Sequence, residues 1–233
     1  MFEQKKITYK MKLLSSLAKV FQDEEPVYQM ECQTLSALWG ETVSFQAAYT
    51  GDFFMRERLD VEVVSPLKDY IRVRTVEQVP VGRATNGIVD DNYLRTEPGL
   101  YPDLLRDVKD GKVIVCSNQW RSLWIDIEVS KDIAPGNYEI EVRLKKEGDV
   151  VASAKQRLTV IGVELPKQKI MHTEWMHTDY LADYYHVDVF SEEHWKILEN
   201  YFKEYVKRGC NMMLTPLFTS PLDTAVGLER TTT

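Results

Sequence analysis

The sequence predicts a mainly β chain: an N-terminal antiparallel β-sandwich, followed by an incomplete β/α segment, a TIM-barrel-like βαβ unit. Three observations predict it. Apolar and polar residues alternate with a period of two through most of residues 27–163, the pattern of half-buried strands. One amphipathic helix, with its own start and stop signals, lies at 191–209. Short apolar runs flank that helix, and a βαβ unit joins parallel strands that need further strands beside them. A proline follows the last sandwich strand in Glu164-Leu-Pro-Lys167, so domains of residues 1–163 and 164–233 are expected.

In chain order, residues 1–25 start polar and then carry Leu13, Leu14, Leu17, Val20 and Phe21. They read as a short amphipathic helix or an irregular edge. Thr42 to Tyr49 places Val43, Phe45, Ala47 and Tyr49 on one face and Ser44, Gln46 and Ala48 on the other. Leu59, Val61 and Val63 repeat the alternation, as do Ile71 and Val73. Residues 79–111 are rich in turn formers and read as one long loop, functional or packed against another domain. Alternation resumes with Leu123, Ile125, Ile127 and Val129 against Trp124, Asp126 and Glu128. Ala134-Pro-Gly-Asn is a turn, Tyr138 to Leu144 a strand, Glu147-Gly-Asp a hairpin turn, and Leu158 with Val160 marks the next strand. Such strands with short turns fit a sandwich.

The second segment reads as strand, loop, helix, strand. Lys169 to Trp175 is the first strand, and a polar, aromatic loop follows. Ser191 is a good N-cap, and Glu192 and Glu193 complement the positive end of the helix dipole. Trp195, Leu198, Phe202, Tyr205 and Val206 form one apolar stripe. Lys207 and Arg208 suit the negative end, and Gly209 fits the left-handed residue that closes a helix. Met212 to Leu214 is the second strand, and Pro216 ends it or sits at its edge.

Composition narrows the class. Hydrophobic content of 44% and charged content of 28% are ordinary for a soluble globular protein. The net charge is -7 with scattered basic residues, which argues against nucleic acid as a partner. No apolar run approaches a membrane span, and the N-terminus has no signal-peptide core, so a cytoplasmic location is the simplest expectation. Cys32, Cys116 and Cys210 are far apart and odd in number, and read as small buried thiols rather than a disulfide or zinc framework.

Trp120-Arg-Ser-Leu-Trp-Ile-Asp-Ile-Glu-Val, Ala134-Pro-Gly-Asn-Tyr and Glu164-Leu-Pro resemble the end of the N-terminal sandwich of one glycosidase group. His172-Thr-Glu-Trp, Phe190-Ser-Glu-Glu-His-Trp and Asn211-Met-Met-Leu-Thr-Pro-Leu-Phe-Thr-Ser-Pro-Leu-Asp-Thr look like the start of its catalytic barrel. The group is glycoside hydrolase family 123, with its relatives labelled domain of unknown function 4091; the resemblance covers roughly residues 12–229. It implies a sandwich before a (β/α)8 barrel that hydrolyses terminal β-linked N-acetylgalactosamine. The implied mechanism is substrate-assisted: the sugar's acetamido oxygen attacks the anomeric carbon, a glutamate is the acid, and an adjacent aspartate orients the acetamido group. The one Asp-Glu dipeptide here, Asp23-Glu24, precedes the sandwich, so no catalytic residue is carried over.

Barrel enzymes place chemistry at the carboxyl ends of their strands. Glu174, Trp175, His177 and Asp179 are therefore the candidate substrate-binding residues: Trp175 to stack on a sugar, the polar three to bond hydroxyls. The plain alternative is that Trp175 packs under the following loop while the others cap it. His172, His177 and His186 are spaced too irregularly for a metal site, and no cofactor is expected. His194, in the first helical turn, is expected at the surface. Trp120 and Trp124 are an aromatic platform or, more often for such residues, packing between sheet and loop. Asp90-Asp91-Asn92-Tyr93 lacks calcium-loop spacing.

The combined reading is the N-terminal part of a carbohydrate-active glycoside hydrolase, catalytically silent alone because the chain ends at Thr233 before the acid pair. Its expected partner is a terminal amino sugar or glycan, with no membrane or nucleic acid, and with self-association through the incomplete barrel. The rival reading is a non-catalytic carbohydrate-binding or interaction module. A reading frame continuing past codon 233 would separate the two.

Overall fold

The computed structural model describes residues 7–27, 34–52, 56–82 and 93–215. The chain divides into two compact units, Met1–Leu165 and Pro166–Thr233. Among the described residues the first unit has ten strands: β1 (Thr8–Ser15), β2 (Leu35–Trp39), β3 (Thr42–Asp52), β4 (Glu57–Val64), β5 (Ile71–Val81), β6 (Gly99–Asp107), β7 (Lys112–Val115), β8 (Arg121–Glu128), β9 (Gly136–Lys146) and β10 (Asp149–Glu164). They form two five-stranded sheets, ordered β1-β3-β8-β5-β6 and β2-β10-β9-β4-β7. The first is antiparallel throughout. The second contains one parallel pair, β2 with β10, which alternation alone does not reveal.

The inner faces of both sheets meet in one core. Phe45, Ala47, Tyr49, Leu123, Ile125 and Ile127 come from the first sheet; Leu59, Ile140, Val142, Leu144, Leu158 and Val160 come from the second. These are the positions that the period of two marks. Each fully buried large side chain contributes about 1.5–3 kcal/mol by leaving water. The β9–β10 hairpin turns through Glu147 (φ 53°) and Gly148 (φ 96°), the two left-handed residues a tight hairpin requires. In β10 a Cβ on Gly162 would lie 2.6 Å from Pro135 Cγ, so only glycine lets the strand pass there.

Two local expectations are corrected in the sandwich. Leu13 and Leu14 are not on a helix: β1 pairs along β3 from Thr8 to Ser15, and adjacent leucines therefore point to opposite faces. The irregular alternative holds for the segment that follows. It crosses the outer face of the first sheet, where Gln46 Nε2 donates to Ala18 O (2.7 Å), Gln78 Nε2 donates to Val20 O (3.1 Å) and Trp120 N donates to Gln22 O (3.0 Å). Leu14, Ala18, Val20, Ala48 and Trp120 form a second small core there. Residues 79–111 are not one loop, because they contain the end of β5 and all of β6, and stop just before β7. Pro102 concealed β6; a proline is tolerated because β6 is an edge strand.

The outer face of the first sheet also buries a charged group. Asp126 accepts from Ser44 Oγ (2.7 Å) and Trp124 Nε1 (2.7 Å), and pairs closely with the Arg74 guanidinium. At the sandwich edge, Glu57 accepts from Lys146 Nζ (2.8 Å) and from the Tyr9 hydroxyl. The Lys146 bond, then the Tyr9 bond, hold the Glu57 carboxyl below the usual range and tie β1 to the other sheet.

The second unit carries β11 (Thr173–Trp175), α1 (Asp179–Tyr185), α2 (Glu192–Lys207) and β12 (Met212–Leu214). β11 and β12 are parallel, in the register Thr173–Met212, Glu174–Met213, Trp175–Leu214. Ser191 Oγ accepts from His194 N (3.2 Å), and Gly209 (φ 87°) follows the helix, as the capping signals predict. The loop expected between β11 and α2 contains α1. Its end is hidden from the sequence because His186, not glycine, takes the left-handed cap at φ 56°.

His194 is also corrected: it is fully buried rather than at the surface. Its Nδ1 accepts from Phe190 N (3.1 Å) and its Nε2 donates to Thr178 O (3.0 Å). A carbonyl only accepts, so the proton sits on Nε2, and a neutral ring joins the start of α1 to the start of α2. Among the described residues, no helix is long and apolar enough to cross a membrane.

Candidate functional site

β11 is only three residues long, and its pleat decides what meets what. Thr173 and Trp175 share one face, and Glu174 lies on the other. At the carboxyl end of β11, Trp175 is 70% exposed. Its indole stacks with the His177 imidazole, with ring centres 6.5 Å apart and planes at 18°. His177 in turn meets the Tyr180 ring edge-on at 5.5 Å. The three rings form one aromatic ledge. Within it, His177 Nδ1 is buried without a hydrogen-bond partner among the described residues. A buried imidazole nitrogen of this kind is satisfied only by a donor or acceptor brought from outside.

Of the four residues singled out in the sequence, Trp175 and His177 come together. Asp179 lies close by, buried in the first turn of α1, where negative charge suits the helix dipole. Glu174 does not join them. Its Oε1 accepts from His172 Nε2 (3.0 Å) on the opposite face of β11. Tyr180 carries no signal in the sequence, where the pattern predicts a loop in place of α1. The three histidines weighed as metal ligands part company: His172 holds Glu174, His177 stacks on Trp175, and His186 caps α1. Among the described residues, no group of three or more His, Cys, Asp or Glu side chains is arranged to hold a metal.

The amino ends of β11 and β12 are stitched by Asn211. Its Oδ1 accepts from His172 N (2.8 Å) and its Nδ2 donates to Ile170 O (3.0 Å). Asn211 N and Met212 N both donate to His172 O (3.2 Å). Tyr205 of α2 donates its hydroxyl proton to Met212 O (3.2 Å). These bonds anchor the strand that presents Trp175.

On the sandwich, Trp120 is buried, with Lys12 Nζ 5.7 Å above its ring, and Trp124 is committed to Asp126. Both rings serve packing and polar satisfaction. Residues 90–92, part of the segment that lacks calcium-loop spacing, lie outside the described residues, as do Cys32 and residues 216–218.

Residues 175–232 match the family model described as glycoside hydrolase 123, catalytic domain. A family 123 glycoside hydrolase from Clostridium perfringens, studied for glycolipid glycan hydrolysis, is similar in structure, with a TM-score of 0.67 and 18% sequence identity. That similarity covers 88% of this chain and 37% of the other, so the chain spans little over a third of that relative's length. At this identity the likeness establishes fold alone. A β-glucosidase from Listeria innocua, in complex with isofagomine, is matched at 12% identity over 68% of this chain and 17% of its own, with a TM-score of 0.32, too slight to bear on the argument. No curated protein sequence matches the chain.

Proposed function

We propose, from the relationship of this chain to glycoside hydrolase family 123, that it supplies the sandwich and the first βαβ unit of a (β/α)8 barrel in a hydrolase acting on terminal β-linked N-acetylgalactosamine. The observation that carries the reading is the exposed ledge of Trp175, His177 and Tyr180, at the carboxyl end of β11 and within the segment that matches the family's catalytic domain. Barrel enzymes collect substrate contacts at those strand ends. The apolar C–H face of a pyranose ring lies against Trp175. His177 Nδ1 takes a sugar hydroxyl as its missing partner, and Asp179 accepts from a second hydroxyl. Glu174, held by His172 on the other face, has no part in this contact.

Proton donation to the leaving oxygen needs a positioned acid. The chain's one Asp-Glu dipeptide is Asp23-Glu24, in the first unit. The expected result is therefore binding without turnover. In saturation-transfer proton spectra, N-acetylgalactosamine should receive signal from the chain, and Trp175→Ala should abolish the transfer. A chromogenic β-N-acetylgalactosaminide should remain uncleaved. Undiminished transfer with the variant would remove Trp175 from the site, and turnover by the chain would place an acid within it.

The same reading concerns the open flank of α2. Trp195 and Val206 are exposed, and with Leu198 and Phe202 they line an open groove of about 490 Å³. Both edges of the two-stranded sheet are free of further strands among the described residues. In a barrel, neighbouring strands and helices cover such faces; alone, they favour association. Light scattering is expected to detect concentration-dependent oligomers of residues 1–233 and a monomer for residues 1–165. A monomeric full chain at every concentration would contradict this.

A further inference from the structure

The parallel pairing of β11 and β12 brings the residues just before each strand together, at the end opposite Trp175. There Cys210 Sγ lies 3.8 Å from His172 Nδ1, and His172 Nε2 lies 3.0 Å from Glu174 Oε1. A thiol, an imidazole and a carboxylate are thus in line. Neither the sugar-binding ledge nor the proposed hydrolysis uses this group.

The order of the three side chains fixes the proton positions. A carboxylate only accepts, so the neutral His172 ring carries its proton on Nε2, facing Glu174. That leaves the Nδ1 lone pair directed at the sulfur. Nucleophile, base and a third group orienting the base make up the arrangement that activates a thiol. The Tyr205 hydroxyl is the other titratable group at the sulfur; it donates to Met212 O and leaves its oxygen beside Cys210.

We propose that Cys210 is a base-assisted thiol and the preferred site at which this chain is modified by small soft electrophiles. In the step, the Cys210 S–H proton passes to His172 Nδ1 and the sulfur lone pair attacks the electrophilic carbon. With iodoacetamide, an S–C bond forms, the C–I bond breaks, and iodide leaves. His172 then returns its proton to water. Glu174 is a positioning residue: it holds the tautomer and steadies the imidazolium while it exists.

Exposure alone predicts the opposite order of reactivity. Cys210 is 8% exposed, whereas Cys116 is more open and has no histidine bonded to it among the described residues. The test is peptide-resolved iodoacetamide alkylation of the full chain carrying Cys32→Ser, with Cys116 as internal reference. Cys210 is expected to react faster than Cys116. His172→Gln is expected to slow Cys210 about a hundredfold, the low end of general-base assistance, without changing Cys116. Glu174→Gln is expected to slow Cys210 by less, and Glu174→Asp to restore part of the rate. Slower reaction at Cys210 than at Cys116 overturns the proposal. So does a Cys210 rate that is unchanged or raised in His172→Gln, since that is the mark of exposure by local opening.

Discussion

Replacing Asp126 by alanine is expected to destabilise the sandwich by about 3–5 kcal/mol, the range for removing one side of a buried ion pair. The carboxylate satisfies three donors on the outer face of the first sheet: Ser44 Oγ, Trp124 Nε1 and the Arg74 guanidinium. Without it, a guanidinium that is itself largely buried has no counter-charge. Arg74 Nε already lacks a partner among the described residues, so no second acceptor there stands ready. The loss is a large part of a typical domain stability of about 5–15 kcal/mol. Urea unfolding checks it: the midpoint should fall sharply for Asp126→Ala and less for Asp126→Asn, which keeps an acceptor for Ser44 or Trp124. A change within about 0.5 kcal/mol, as at ordinary surface positions, would mean that water replaces the carboxylate there.

Phe45→Ala is expected to cost about 3–5 kcal/mol as well, for a different reason. Phe45 is fully buried in β3, opposite Ile125 of β8, in the core between the sheets. Truncation removes its transfer energy and leaves a cavity that two hydrogen-bonded sheets cannot close around. Phe45→Leu, which refills much of the volume, should recover most of the loss. If thermal and urea unfolding give the alanine variant near-native stability, the core at this level is not close-packed.

The two losses were not equally legible. Phe45 stands in a clear alternation, so its burial follows from period two. Asp126 sits on the face that the same alternation assigns to solvent. It is buried because Ser44, Trp124 and Arg74 bond to it there, while residues 16–23 return across the same face, held by Gln46 and Gln78. A return of the chain over a sheet leaves no mark on local periodicity. β6 was hidden likewise: Pro102 reads as a breaker until the sheet order makes β6 an edge. Of the candidate site, Trp175 and His177 were legible from their place at a strand end. Tyr180 and the separation of Glu174 were not. The first depends on α1, which ends on His186 rather than glycine, and the second on which face of a three-residue strand each side chain takes.

By itself, then, the sequence determined the class of most sandwich strands and of α2, the capping of α2 and the motifs that resemble family 123. Those are local facts, carried by spacing and by residues within a turn or two of one another. The tertiary structure alone decided that β2 runs parallel to β10, that His194 is a buried joint rather than a surface residue, and that Cys210, His172 and Glu174 stand in line. Each depends on residues from 16 to more than 100 positions apart in sequence, and their meeting is set by strand pairing and chain return, which a single linear pattern does not encode.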